Sequence, residues 1–194
     1  MAEVWGGGAG GPIYQLFGND LRAAGGAAGG YARGFMPVTP GSSLTIIVGS
    51  GGIGAARAPS EGAQPGSPSS IYRNQNPDGL FAYGGSFGPG IGAGTDLAFQ
   101  APGSGGMNAT ISFGQRSPTE YVLLVQCGNG GTAYGVQPGI SGLGTQIASI
   151  NSSFLLYQSG DVTAGQQGSF PGGGGGCGYN YGGRGADGIV VLHW

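Results

Sequence analysis

Lysine is absent from this 194-residue sequence, histidine occurs once, and charged residues amount to 7%, against about 25% in an ordinary domain. The six basic residues are Arg22, Arg33, Arg57, Arg73, Arg116 and Arg184. So few, scattered this widely at a net charge of −2, supply no basic stripe, and nucleic acid is not expected as a partner. Without lysine there is no Schiff-base chemistry. No apolar run reaches the roughly 18–20 residues that span a bilayer, and no signal-peptide pattern opens the chain, so membrane insertion is not expected. No stretch sustains a helical period of 3.6, and no strict Gly-X-Y period supports a collagen helix.

What is abundant is glycine: 49 residues, with 12 prolines. Short runs rich in Val, Ile, Thr, Phe and Tyr alternate with glycine tracts. The runs suit a pleated, half-buried surface. They are Ala2–Trp5, Ile13–Phe17, Tyr31–Val38, Ser43–Val48, Asp96–Ala101, Ala109–Phe113, Glu120–Cys127, Phe154–Gln158 and Ile189–Trp194. Tyr121–Val125 and Ile189–Leu192 are continuously apolar and read as strands buried on both faces. The tracts are Gly6–Gly11, Gly25–Gly30, Gly49–Gly54, Gly84–Gly94, Gly103–Gly106, Gly128–Gly131, Gly139–Gly144, Gly172–Gly178 and Gly182–Gly188. One tract alone is a tether. Nine in one chain can form extended threefold helices that pack backbone to backbone and pair their amides sideways. The polar stretch Ala55–Gln75 reads as a long surface loop. The expectation is one all-β domain, residues 1–194. It is a β-sandwich with glycine-rich inserts as polyglycine II-type helices or ordered loops, its first and last strands paired.

Chemical motifs are few. Gly49-Ser-Gly-Gly-Ile-Gly54 after an apolar run matches a dinucleotide fingerprint, but that mechanism needs a helix at once, and Pro59 follows closely. No cofactor is expected. His193, the sole imidazole, reads as a strand-edge or packed residue, not a catalytic base. The eight acidic residues form no recognisable motif, and Asp187 reads as shaping the turn into the last strand. No metal site is expected, and the protein does not read as an enzyme. Asn108-Ala-Thr110 and Asn151-Ser-Ser153 match the glycosylation sequon, which matters only in a secreted eukaryotic protein.

Cys127 and Cys177 leave two readings open: a disulfide closing a 50-residue loop, worth roughly 4 kcal/mol in the chain-entropy model, or two separate buried thiols. The aromatics within the tracts also carry two readings. Tyr83, Phe87, Tyr134, Tyr179 and Tyr181, with Arg184, have the composition of a receptor- or partner-binding surface. Alternatively, the rings cap the tracts and pack on the β-core.

Three stretches carry a resemblance. Ala2-Glu-Val-Trp-Gly-Gly-Gly-Ala-Gly-Gly11 is similar to the opening of the glycine-rich domain found in phage tail proteins. Val38-Thr-Pro-Gly-Ser-Ser-Leu-Thr-Ile-Ile-Val-Gly-Ser-Gly-Gly52 resembles that family's centre. Gly182-Gly-Arg-Gly-Ala-Asp-Gly-Ile-Val-Val-Leu-His-Trp194 resembles its closing strand. The glycine-rich ectodomain of the anaplastic lymphoma kinase family looks like a distant relative, with glycine helices inserted into a tumour-necrosis-factor-like, jelly-roll sandwich. The resemblance implies a phage virion component on the particle surface, in the tail or fibre, with other virion proteins as partners. Some relatives are adhesins that bind a host cell-surface receptor. This sequence departs from them in its less glycine-rich middle and in having no fibre-attachment domain before the first tract. A capsid or tail decoration protein is therefore one alternative. A free extracellular structural or ice-binding protein is another. A homo-oligomer, a trimer by sandwich analogy, is expected.

Overall fold

The computed structural model describes residues 1–13, 15–17, 20–22, 24–56, 62–73, 78–86, 90–106, 110–117, 120–135, 144–151, 156–157, 164–178 and 181–194. Within 15–22, 110–127 and 144–157 the description is of the backbone alone. Every regular element among the described residues is a strand. In chain order these are β1 (Ala2–Trp5), β2 (Gln15–Phe17), β3 (Asp20–Arg22), β4 (Tyr31–Gly34), β5 (Thr45–Ile47), β6 (Ser69–Tyr72) and β7 (Gly79–Ala82). There follow β8 (Gly92–Gly94), β9 (Leu97–Ala101), β10 (Thr110–Ser117), β11 (Glu120–Cys127), β12 (Gly144–Asn151), β13 (Leu156–Tyr157) and β14 (Ile189–Leu192).

In β1, burial alternates: Ala2 and Val4 point inward, while Glu3 and Trp5 point out. This period of two makes β1 one face of a core. It pairs antiparallel with β14 on one side and β4 on the other, so the two end strands meet as expected. The order β14-β1-β4-β9 forms one sheet and β5-β6-β7-β8 a second. The two pack face to face, with β14 across from β6, β1 across from β6 and β7, and β4 across from β7 and β8. Between them Ala2, Val4, Ile71, Leu80 and Ala82 are buried, ringed by Met36, Leu44, Leu97, Val190 and Leu192. A further antiparallel sheet runs β10-β11-β12-β13, and β2 pairs with β3.

The all-β architecture is as the sequence implies, but several details differ. Strands β5 to β8 form a meander, so consecutive strands stay in one sheet where a jelly roll would alternate between two. The expected loop Ala55–Gln75 contains β6, with Ser69, Ser70 and Ile71 buried. Its serines suited a loop on composition, yet Ser69 Oγ accepts the Gly49 N–H at 2.8 Å and is satisfied inside. β14 is not buried on both faces; it is an edge strand, half-buried throughout.

The strands run directly into the glycine tracts, and the tracts are ordered. Residues 6–11 show how. Gly6 and Ala9 donate their N–H groups to Gly30 and Ala27. Gly7 and Gly10 donate to Ser67 and Gln64, and Gly8 and Gly11 to Ala186 and Gly183, all at 2.8–3.0 Å. Every third amide meets the same neighbour, which is the signature of a threefold extended helix. These three neighbours run antiparallel. On the acceptor side, Gly7 O takes Gly85 N–H, Ala9 O takes Gly175 N–H, and Gly8 and Gly11 carbonyls take Gly52 and Ala55 N–H. Six tracts thus surround one in a hexagonal array. Residues 172–178 repeat the pattern: amides 174 and 177 reach Gly131 and Gly128, 173 and 176 reach Ser169 and Gln166, and 175 and 178 reach Ala9 and Pro12. Each amide and carbonyl removed from water needs a partner, and the array supplies it. The expected tract Gly139–Gly144 lies outside the described residues up to its last position, which begins β12.

Candidate binding surface

The lattice continues the sandwich along the strand direction, so the molecule has a base, a junction and a far end. At about 3.1 Å per residue a six-residue tract is about 19 Å long. The far end gathers residues 11–13, 55–56, 128, 165, 177–178 and 181–182, tied by bonds such as Ala55 N–H to Gly11 O and Gly182 N–H to Ala55 O, and by the bridges Ile13–Gly178 and Ala56–Tyr181. There the chain leaves the lattice and returns: between tracts 6–11 and 24–30 through β2 and β3, between 49–55 and 62–67, and between 103–106 and 128–131 through β10 and β11.

Among the sequence-predicted residues, Tyr181 stands at this far end and is exposed. Arg184, close by in the same tract, pairs with Asp187 at 2.8 Å. Asp187 Oδ1 also accepts the Gly51 N–H at 2.7 Å. The acid therefore braces two tracts, beyond the turn-shaping role expected of it. Tyr83 and Tyr134 lie about 20 Å away at the junction, so the structure does not bring the candidates into one patch. Tyr83 is exposed, with its backbone tied to Ile91 and Gly30. Phe87 and Tyr179 lie outside the described residues.

Tyr134 joins a cluster on the outer face of the first sheet. It stacks on Tyr31 with centroids 4.7 Å apart; Trp5 lies 4.6 Å from Tyr31, and Phe99 lies 5.2 Å from Tyr134. Trp5 Nε1 donates to the Tyr134 carbonyl at 2.8 Å. Arg33 sits 5.8 Å over the Phe99 ring, within reach of a cation–π contact. The register explains the group: Trp5 faces Tyr31, and Glu3, Arg33 and Phe99 form a row across β1, β4 and β9. Sequence reasoning missed Trp5, Tyr31, Arg33 and Phe99, although the period of two in β1 and β4 places the first three on the outer face; Phe99 joins them through the β4–β9 register. Tyr31 is buried beneath the cluster, and its hydroxyl donates to Glu3 Oε2 at 2.6 Å. Burial first, and then this bond to the carboxylate, push the phenol pKa upward. His193 Nε2 bonds the other Glu3 oxygen at 2.9 Å.

At the base, Arg73 holds Asp78 at 2.5 Å and Asp96 at 3.0 Å beside a cavity of about 890 Å³ lined also by Pro37, Val38 and Thr39. The hydrogen bond from Arg73 holds the Asp78 carboxyl below its ordinary range. No group of three His, Cys, Asp or Glu among the described residues is placed to hold a metal ion. Gly49–Gly54, the dinucleotide-like motif, is a lattice tract whose amides bond Ser69, Asp187 and Gly8. Cys177 is fully buried and disulfide-bonded, its N–H meets the Gly128 carbonyl, and Cys127 is the one other cysteine in the sequence.

No curated protein and no solved structure matches the chain. A family model described as a glycine-rich domain matches residues 2–194, and the chain belongs to that family.

Proposed function

We propose that this protein is a non-enzymatic phage virion component, tail- or fibre-associated, that presents a host-receptor-binding surface at the far end of its glycine lattice. One observation carries the reading: three segments of differing length, between tracts 6–11 and 24–30, 49–55 and 62–67, and 103–106 and 128–131, leave a rigid, backbone-bonded array at the same end. A stiff scaffold that holds irregular loops together is how recognition surfaces are commonly built. Resemblance to phage tail glycine-rich domains supplies the biological setting. A surface with few charges also favours association within a larger particle.

The test has two arms. Mass spectrometry of purified particles should detect the chain; absence from every virion overturns the assignment and favours a free extracellular protein. Purified protein should bind host cells and compete with phage adsorption. Presence in the particle without competition makes it a decoration protein. Tyr181→Ala should weaken binding at least about tenfold, as loss of an aromatic anchor does, with an unchanged melting temperature.

A further inference from the structure

We propose that a second copy of this chain docks on the β5–β14 flank of the sandwich, pairing β5 of each copy with β14 of the other about a two-fold axis. The two flanks of the sandwich differ. On the β8–β9 side, Gly94 has a φ of 140°, a turn follows it, and the β4–β9 register slips between Arg33 and Gly34. Such irregularities blunt a sheet edge. On the opposite side, Leu44-Thr-Ile-Ile-Val48 and Ile189-Val-Val-Leu192 carry no charge and no proline, and their ladders are regular. Among the described residues each strand pairs on one side only, β5 with β6 and β14 with β1, and the two edges are tied within one copy only above the strands, where Gly188 N–H meets the Gly49 carbonyl.

The sheets are also offset. Since β14 lies across from β6, β5 projects one strand past the opposite sheet. Ile46 shows the consequence. It sits beside Ile71 in the ladder, yet Ile71 is fully buried and Ile46 is 46% exposed. Ile47 and Val48 are exposed as well, as are Ile53 in the tract that continues β5 and Trp194 just past β14.

This step fits itself. A two-fold axis parallel to the strands swaps the levels of the two sheets, so the projecting β5 of one copy enters the recess beside β14 of the other. β5 leads into the lattice and β14 comes out of it. The axis leaves both directions unchanged, and the new pairing is antiparallel. The contact occurs twice, as an isologous interface requires. Two continuous eight-stranded sheets result, with both lattices pointing the same way. Fully covered, the exposed surface of Ile46, Ile47, Val48, Ile53 and Trp194 would amount to roughly 600 Å² per copy, which brings a pair up to the lower bound of about 1,200 Å² for a stable interface. The inference stands independently of the proposed virion role and replaces the trimer expected by analogy.

Sedimentation equilibrium of the full chain should give twice 18.9 kDa, dissociating on dilution. Ile47→Lys and Ile189→Lys, one on each edge and neither opposite an acid in its ladder, should each raise the dissociation constant about 100-fold or more, because each places two unpaired charges in the interface. Gln100→Lys on the guarded flank should change nothing. Circular dichroism melts check that each monomer is folded, and Thr45→Lys tests the same edge if Ile47→Lys is not. A monomer at every concentration, a trimer, or a dimer that survives the variants of either edge overturns the proposal.

Discussion

A glycine in this lattice matters for what its missing side chain lets in. At Gly8 an added Cβ would lie 2.1 Å from the Gly173 carbonyl oxygen, and both backbones are held by hydrogen bonds. Neither can give way without breaking several pairs. Gly8→Ala should therefore cost about 3 kcal/mol or more, at the upper end of overpacking effects. Gly105 has no atom within 4 Å of the same position, and Gly105→Ala should be neutral or stabilise by about 0.4–1 kcal/mol through the unfolded chain. Urea titrations of the two variants beside the parent make the comparison. Tyr31 gives a pH test. Its phenol pKa is raised in the folded state by burial and by the bond to Glu3, so folding favours the protonated ring. That stability is complete below the unfolded value of about 10 and is lost as pH rises beyond it. Melting temperatures should fall above pH 10 in the parent and fall less steeply in Tyr31→Phe.

The elements that composition revealed are those whose residues have little choice. Val4, Tyr31 and Val190 lie in β-branched or aromatic runs between glycines, and β1, β4 and β14 formed where those runs predicted. β6 and β8 were hidden, because Ser69-Ser70 and Gly92-Ala-Gly94 become strands only when neighbouring ladders satisfy them. Their burial is tertiary information that no local preference carries. The lattice was legible as a possibility, since tracts with no side chains can approach closely. Its pairing was not, because which tract meets which depends on the strands that feed them. The candidate site divides in the same way. Tyr134 was visible as an aromatic among glycines, but its partners Trp5, Tyr31 and Phe99 come from three strands that only the sheet register aligns. That register also seats Tyr134 in a packed cluster, whereas Tyr181 remains open at the far end.

At the scale of the molecule, the sandwich and the lattice share their chain elements. β1 runs into residues 6–11, β5 into 49–55 and β7 into 83–85, while 24–30, 62–68 and 182–188 run into β4, β6 and β14. Apart from the local bonds among residues 165–184, hydrogen bonds within the array join tracts distant in sequence, so the tracts fed by strands lose their partners once those strands separate. The small core of Val4, Ile71 and Leu80 should thus control protection throughout the array. Leu80→Ala removes a fully buried side chain and should cost about 2–5 kcal/mol. If sandwich and lattice unfold as one cooperative unit, amides of Gly8, Gly11, Gly175 and Gly185 should lose protection by the same free energy as the amides of β1 and β7. Native-state hydrogen exchange on parent and variant reads both sets in one experiment. Lattice amides that keep their parent protection while the strand amides lose theirs would mean that the array holds itself together without the sandwich. Equal loss would mean that the side-chain core, few as its residues are, sets the stability of the glycine lattice it anchors.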